Sequence, residues 1–132
     1  MTLIEIQNET IQKYRIDICD GNKCNNDWSR THAHVKQRRI CKWKQCSSIK
    51  STFELFHEIG HIETHTSKMR RYESEYAATV WAVERMREHG IEGRISDSIK
   101  KLYQDYIWEE RDRGVRRGGS GYPSKEELTI DW

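Results

Sequence analysis

Two histidines four residues apart, with a glutamate directly after the first, constrain this chain more than any other feature. They form the segment His57-Glu58-Ile59-Gly60-His61, within a stretch whose apolar residues recur at helical spacing. Residues i and i+4 of a helix share one face, so both imidazoles can reach one Zn²⁺ at about 2 Å. Glu58 then lies beside the metal, where its carboxylate can take a proton from water. The segment therefore predicts a metal site on a helix, and Gly60 leaves room for another element to approach that helix.

A catalytic zinc needs a third protein ligand. His65 continues the four-residue series, but eight helical residues rise about 12 Å, which is too far for His57 and His65 to share one ion. We therefore interpret His65 as a group beside the site or on the surface. Glu73 and Glu75 on the next predicted helix are the other candidates, and at 100° per residue Glu75 lies within the apolar arc while Glu73 lies at its margin. A buried carboxylate is costly unless it is paired or bound to metal, so Glu75 is the favoured ligand and Glu73 the alternative.

The histidine motif and the glutamates of the next helix together resemble a known family. His-Glu-Ile-Gly-His followed by Glu73-Ser74-Glu75-Tyr76-Ala77-Ala78 is similar to the pattern of the ImmA/IrrE family of gluzincin metallopeptidases, over residues 48–90. The resemblance implies that His57, His61 and Glu75 bind a catalytic Zn²⁺ and that Glu58 is the general base. It also implies a regulatory endopeptidase with a protein substrate, such as a transcriptional repressor, encoded by a bacterium, a phage or another mobile element.

Peptide hydrolysis of this kind also needs a donor for the oxyanion that forms on the substrate. The sequence offers Tyr103, Tyr106, His89 and His34 as candidates. Aromatic residues at helical spacing most often belong to the core, and the sequence does not choose among the four. Tyr103 and Tyr106 are the two residues that we retain as possible oxyanion donors.

The order of the predicted elements defines an α+β domain. The chain has 132 residues, which fits one domain. We expect a small N-terminal β-sheet followed by three helices, as in a minimal gluzincin-like zinc-peptidase domain. The predicted bounds are strands within residues 1–46, an active-site helix at 48–66, a ligand helix at 69–89, a C-terminal helix at 96–112, and a single domain over 1–113. Residues 114–132 are rich in glycine and arginine at their start and are predicted to form a flexible tail.

The four cysteines form two pairs with equal spacing, Cys19-x4-Cys24 and Cys41-x4-Cys46. Four thiolates can hold a second, structural Zn²⁺ in a ribbon-like unit. The alternative is a set of independent thiols, because Cys41 follows the alternation of an ordinary strand. In a reducing compartment cysteines are thiols or metal ligands rather than disulfides.

The distribution of basic residues is also compatible with a noncatalytic, binding function. The net charge is only +2, yet residues 21–50 contain eight Lys or Arg against the single acid Asp27. Such a surface can attract nucleic acid or an acidic protein, although it is often only solvated. The alternative function is therefore a noncatalytic, metal-stabilised binding protein that acts on a protein partner or nucleic acid through this basic surface.

The N-terminal residues and the hydropathy indicate where the protein functions. Acidic residues at Glu5 and Glu9 interrupt the N-terminus, which lacks the apolar region of a signal peptide. No stretch approaches the roughly 18 apolar residues of a membrane span. We expect a cytoplasmic protein with no membrane partner.

Overall fold

Residues 1–19 and 30–132 are described by a computed structural model, in which a small sheet packs beside longer helices. The described residues contain four α-helices and three strands, which confirms the predicted α+β class. Their bounds are α1 (Leu3–Lys13), β1 (Asp17–Ile18), β2 (His32–His34), β3 (Arg39–Cys41), α2 (Ile49–Thr64), α3 (Arg71–Glu88) and α4 (Asp97–Arg116). Two short 3-10 helices cover Glu92–Arg94 and Glu126–Leu128. No helix in this part of the chain has the length and apolar character needed to cross a bilayer.

The three strands form one sheet in the order β1-β3-β2. β1 runs parallel to β3, and β2 runs antiparallel to it. The register places Ile18 and Ala33 on either side of Ile40, which is completely buried. Successive side chains of a strand point to opposite faces, so this central row packs on the core and the flanking residues face the other way.

The core is centred on α2, whose N-terminus is capped by Ser48. The Ser48 hydroxyl accepts a hydrogen bond from the Ser51 amide at 3.0 Å, which satisfies one of the free N–H groups of the first turn. Apolar side chains at helical spacing are then completely buried, among them Phe53, Phe56 and Ile59.

Gly60 sets the distance between α2 and α3. A Cβ atom at Gly60 would lie 2.7 Å from the Ala78 carbonyl oxygen and 2.9 Å from its Cα. The backbones of the two helices are therefore in direct contact, and only glycine permits this approach. The expectation that Gly60 leaves room for another element is confirmed.

The first helix corrects the prediction of strands from residue 1. Residues 3–13 form α1, because a capping box begins it: the Thr2 hydroxyl accepts from the Glu5 amide at 3.1 Å and the Glu5 carboxylate reaches back to Thr2. Ile6 and Thr10, four residues apart, are buried on one face. The capping box and this helical spacing prevail over the local alternation of apolar residues. Strands occur only later in the predicted region, as β1, β2 and β3.

The three predicted helices are present as α2, α3 and α4, and the largest difference in their bounds is at the C-terminus of α4. This helix continues to Arg116, four residues beyond the predicted end at 112. Gly114 does not terminate it. A Cβ at Gly114 would lie 2.4 Å from the Tyr122 hydroxyl, so this glycine accommodates the Tyr122 ring against the last turn of the helix.

The C-terminal segment is packed, which corrects the prediction of a flexible tail over 114–132. Leu128 and Ile130 are buried, with exposed fractions of 5% and 4%. Gln104 of α4 holds the segment at both sides: its amide nitrogen donates to the Leu128 carbonyl at 2.9 Å, and its amide oxygen accepts from the Ile130 amide at 2.8 Å. The two apolar side chains and this pair of hydrogen bonds outweigh the polar composition of the segment.

Candidate metal centre

The two motif histidines lie on successive turns of α2 and converge. The ring centroids of His57 and His61 are 4.7 Å apart, with the ring planes at 84°. His57 is 5% exposed, and Glu58 is partly buried beside it. The donor atoms of His57, Glu58 and His61 lie within 4.8 Å of one another. This segment of α2 therefore forms a group that can hold a metal ion.

Glu75 of α3 faces both histidines. One carboxylate oxygen, Oε2, lies 3.2 Å from Nε2 of His57, and the other, Oε1, lies 3.3 Å from Nε2 of His61. The glutamate is 7% exposed, so its charge is held away from water. Three donors from two adjacent helices thus meet at one buried point.

The residues at this point fit a divalent metal. His57 Nε2 and Glu75 Oε2 are both buried, and neither makes a hydrogen bond within the described part of the chain, although the atoms are only 3.2 Å apart. A buried polar atom without a hydrogen-bond partner lowers the stability of the folded state by about 1–3 kcal/mol. A metal ion bound between these atoms would remove that penalty. Two imidazole nitrogens and one carboxylate form a donor set that catalytic Zn²⁺ takes.

The second ring nitrogen of each histidine faces a neighbouring side chain. His61 Nδ1 is within hydrogen-bond distance of the Ser74 hydroxyl, at 3.0 Å. His57 Nδ1 lies 3.5 Å from Oε1 of Glu58, which is a charge contact rather than a hydrogen bond. Nε2 of both rings faces Glu75. Metal-binding histidines in proteins commonly have such a partner on the second nitrogen, because it fixes the ring orientation and the tautomer.

Glu73 and Glu75 have different positions, and only Glu75 reaches the histidines. The Glu73 carboxylate accepts from the Arg70 amide at 3.3 Å and closes the N-terminus of α3. Glu75 lies on the buried face of the same helix. The structure thus brings the favoured ligand, rather than its alternative, to the site.

The charges at the site shift the pKa values of its groups. Burial by itself lowers the pKa of His57, but the carboxylates of Glu58 and Glu75 outweigh burial and raise it to about 9. Burial would raise the pKa of Glu75, yet the two histidines hold that pKa well below its ordinary value. The opposite charges of His57 and Glu75 therefore favour each other, although their Nε2 and Oε2 atoms, 3.2 Å apart, make no well-directed hydrogen bond.

Tyr103 of α4 lies against the metal-binding group. Its ring centroid is 4.7 Å from that of His57 and 4.8 Å from that of Phe53. Burial raises the pKa of the Tyr103 hydroxyl, and the negative charges of Glu54 and Glu58 act in the same direction. The hydroxyl therefore keeps its proton at neutral pH and remains a hydrogen-bond donor.

The other candidate oxyanion donors lie elsewhere. The Tyr106 hydroxyl accepts from the Arg71 guanidinium at 3.2 Å, and the His89 ring stacks on Phe56. His34 is part of β2. Of the four candidates, Tyr103 is the one whose ring packs against His57.

His65 takes no part in this centre. It is the C-cap residue of α2, has an extended backbone conformation and is exposed to solvent. Its position agrees with the interpretation of His65 as a surface group.

The proposed four-cysteine metal site is not assembled by the described residues. Cys46 is exposed and free, and the backbone carbonyl of this residue accepts a hydrogen bond from Gln7 of α1. Cys19 and Cys41 instead form a small buried cluster, and both are disulfide-bonded in the structure, where thiols or metal ligands were expected. Adjacent strands bring these two side chains together. Cys24 lies outside the described residues.

A second group of side chains that could hold a metal ion lies in the sheet, and the sequence motifs did not reveal it. The donor atoms of His32, His34 and Cys41 lie within 4.8 Å of one another. The signal in the sequence was the His-x-His spacing on a predicted strand, which places both rings on one face. Cysteine spacing alone does not reveal the group, because strand pairing rather than sequence proximity brings Cys41 to the two histidines.

Comparison of the chain with models of known protein families, with curated proteins and with solved structures finds no match.

Proposed function

We propose that this chain is a zinc-dependent metallopeptidase that cleaves a peptide bond in a protein substrate. The observation that carries the proposal is the contact of the Glu75 carboxylate with Nε2 of both His57 and His61. A histidine pair on one helix and a glutamate from the next supply three protein ligands and leave further coordination positions for water and substrate, as catalytic zinc requires.

The metal would be held by His57, His61 and Glu75. A bound Zn²⁺ supplies a Lewis acid that polarises the substrate carbonyl and makes water a stronger acid. The chain supplies the proton transfers. Glu58, which follows His57 directly on α2, would accept a proton from the attacking water and deliver it to the leaving amine.

Tyr103 is the proposed donor to the oxyanion. Its ring packs on His57, and its raised pKa keeps the hydroxyl protonated. A donor of this kind stabilises charge that develops only in the transition state, so its effect falls on the rate rather than on substrate binding.

The biological assignment rests on the resemblance of residues 48–90 to the ImmA/IrrE pattern. By that resemblance the enzyme is a regulatory endopeptidase of the cytoplasm, its substrate is a protein such as a transcriptional repressor, and its gene belongs to a phage or another mobile element.

The alternative function is a noncatalytic protein that the metal only stabilises. The ligands join α2 to α3, so a metal there would strengthen the core whether or not catalysis occurs. The basic surface that this alternative needs is partly neutralised, because Arg38 pairs with Glu63 and Arg39 pairs with Asp17. Two of the eight basic residues are therefore offset by acids, which weakens the positive charge of this surface.

Replacement of Glu58 by Gln separates the two functions. The probe is a mixed library of internally quenched fluorescent peptides, with zinc content measured on the same samples. We expect Glu58→Gln to keep its zinc and to lose about 10²–10⁴-fold in cleavage rate. Glu63→Gln is the matched control on the same helix, since this carboxylate is exposed and outside the site. Cleavage by Glu58→Gln at the wild-type rate, or no zinc-dependent cleavage by the wild type, would refute the enzyme proposal.

A further inference from the structure

The sheet has a face that carries metal-binding side chains. The antiparallel register pairs His32 directly with Cys41, and His34 follows His32 by two residues. Because side chains alternate along a strand, these three lie on one face, opposite the row of Ala33 and Ile40 that packs on the core. The strand pairing therefore explains why their donor atoms converge within 4.8 Å.

His32 is oriented as a metal ligand. Its Nδ1 lies 2.8 Å from the Arg30 carbonyl oxygen. A carbonyl can only accept, so Nδ1 carries the proton and donates it, and the neutral ring has its lone pair on Nε2. Such a hydrogen bond from the second nitrogen to a backbone carbonyl is a common partner of metal-binding histidine. His32 is also buried, at 7% exposure.

Cys19 lies beside Cys41 of this group and is the candidate for a fourth donor. β1 runs parallel to β3, and the Cys19 amide donates to the Ile40 carbonyl at 2.8 Å just beyond the paired residues. Cys19 and Cys41 are 5% and 0% exposed and pack together. Two imidazoles from β2, one sulfur from β3 and one from the residue after β1 match the composition of a closed, four-ligand structural zinc site.

We propose that the reduced sheet binds a second Zn²⁺ through His32, His34, Cys41 and Cys19. The disulfide-bonded cysteines of the structure are the alternative state of the same residues. A dithiol reductant, itself oxidised to a disulfide, supplies two electrons and two protons and converts each protein disulfide to two thiols. Each thiol then releases its proton when the sulfur binds the metal.

The role of this zinc is structural, and it is independent of the proposed peptidase activity. The strands are two, three and three residues long, which is short for a stable sheet. A metal with ligands on β2, on β3 and directly after β1 would hold the three strands in register. Because four protein ligands fill a tetrahedral site, no position remains for a substrate.

The first experiment counts zinc in protein purified with a dithiol reductant and without chelator. We expect two zinc ions per wild-type chain and one in His57→Ala. The double variant His57→Ala/Cys41→Ser should have none, whereas His57→Ala/Cys46→Ser should keep one, because Cys46 is a free, exposed thiol. One zinc in the reduced wild type, with none in His57→Ala, would overturn the proposal, and so would retention of one zinc in His57→Ala/Cys41→Ser.

The second experiment identifies the ligands directly and does not require every variant to fold. Co²⁺ is titrated into reduced, metal-free protein, and the thiolate-to-cobalt charge-transfer absorption is recorded. Among residues 1–19 and 30–132, a cysteine converges with histidine donors at the sheet, whereas the α2–α3 centre contains no cysteine. Cys46→Ser is the control for the exposed thiol and should keep the band. We expect the band in wild type and His57→Ala, and its loss or shift in His34→Ala, a milder change at a partly exposed ligand. Absence of the band from folded, reduced wild type would refute thiolate ligation.

Discussion

Glu75 of α3 approaches His57 of α2 to 3.2 Å between Oε2 and Nε2, although the two residues are on different helices. The contact exists because Gly60, one turn along α2, lets the Ala78 backbone come within van der Waals distance. The geometry of the candidate metal centre is therefore set by helix packing. Substitutions that separate the helices should weaken the centre without touching a ligand.

Replacing Glu75 by Gln should weaken zinc binding by at least about 100-fold, because it removes the charged ligand that faces both histidines. Zinc affinity is measured by competition with a chromogenic chelator. Glu73→Gln is the control on the same helix, since that residue only closes the helix N-terminus. Equal affinities for the two variants would show that Glu75 is not a ligand.

Replacing Gly60 by Ala should destabilise the fold by about 1–3 kcal/mol, because the new methyl group overlaps the Ala78 carbonyl and pushes α3 away. Urea unfolding measures the loss, and zinc affinity should fall with it. Gly93→Ala is the matched control: no atom lies within 4 Å of a Cβ there, so its change should stay within about 0.5 kcal/mol. A Gly60→Ala protein as stable as the control would mean that the helices are not in backbone contact.

Replacing Tyr103 by Phe should lower kcat by about 10²–10³-fold while zinc content and KM change little, because only the hydroxyl is lost. Steady-state cleavage of a peptide found with the library measures both constants. Tyr106→Phe should retain normal activity, since its hydroxyl contacts Arg71 and not the centre. A Tyr103→Phe enzyme with unchanged kcat would remove Tyr103 from the proposed mechanism and leave the metal centre unaffected.

Replacing Ile130 by Ala should cost about 2–5 kcal/mol of unfolding free energy, because this side chain is buried against the domain. Asp131→Ala is the neighbouring control, since its side chain is fully exposed and its ion pair with Arg87 is a surface one. Thermal or urea unfolding compares the two. If Ile130→Ala were as stable as Asp131→Ala, the C-terminal segment would not be docked in solution.

Local spacing was enough to predict α2 and the convergence of His57 and His61, because a helix places residues i and i+4 on one face whatever surrounds it. It also favoured Glu75 over Glu73, since the angular position of a residue on a helix follows from its number alone. The α+β class followed from the order of the patterns. The helix from Leu3 could have been predicted as well, because its capping box is visible in the sequence.

Contacts between distant segments were decided only by the tertiary structure. Cysteine spacing carries no information on strand register, so it could not show that Cys41 lies opposite His32 while Cys46 is exposed. The polar composition of the C-terminal residues likewise concealed the two hydrogen bonds with which Gln104 holds them. The sequence by itself determined the faces of the helices and the spacing of the motif. Which faces meet depends on burial and on close backbone approach, and these are properties of the whole packed chain.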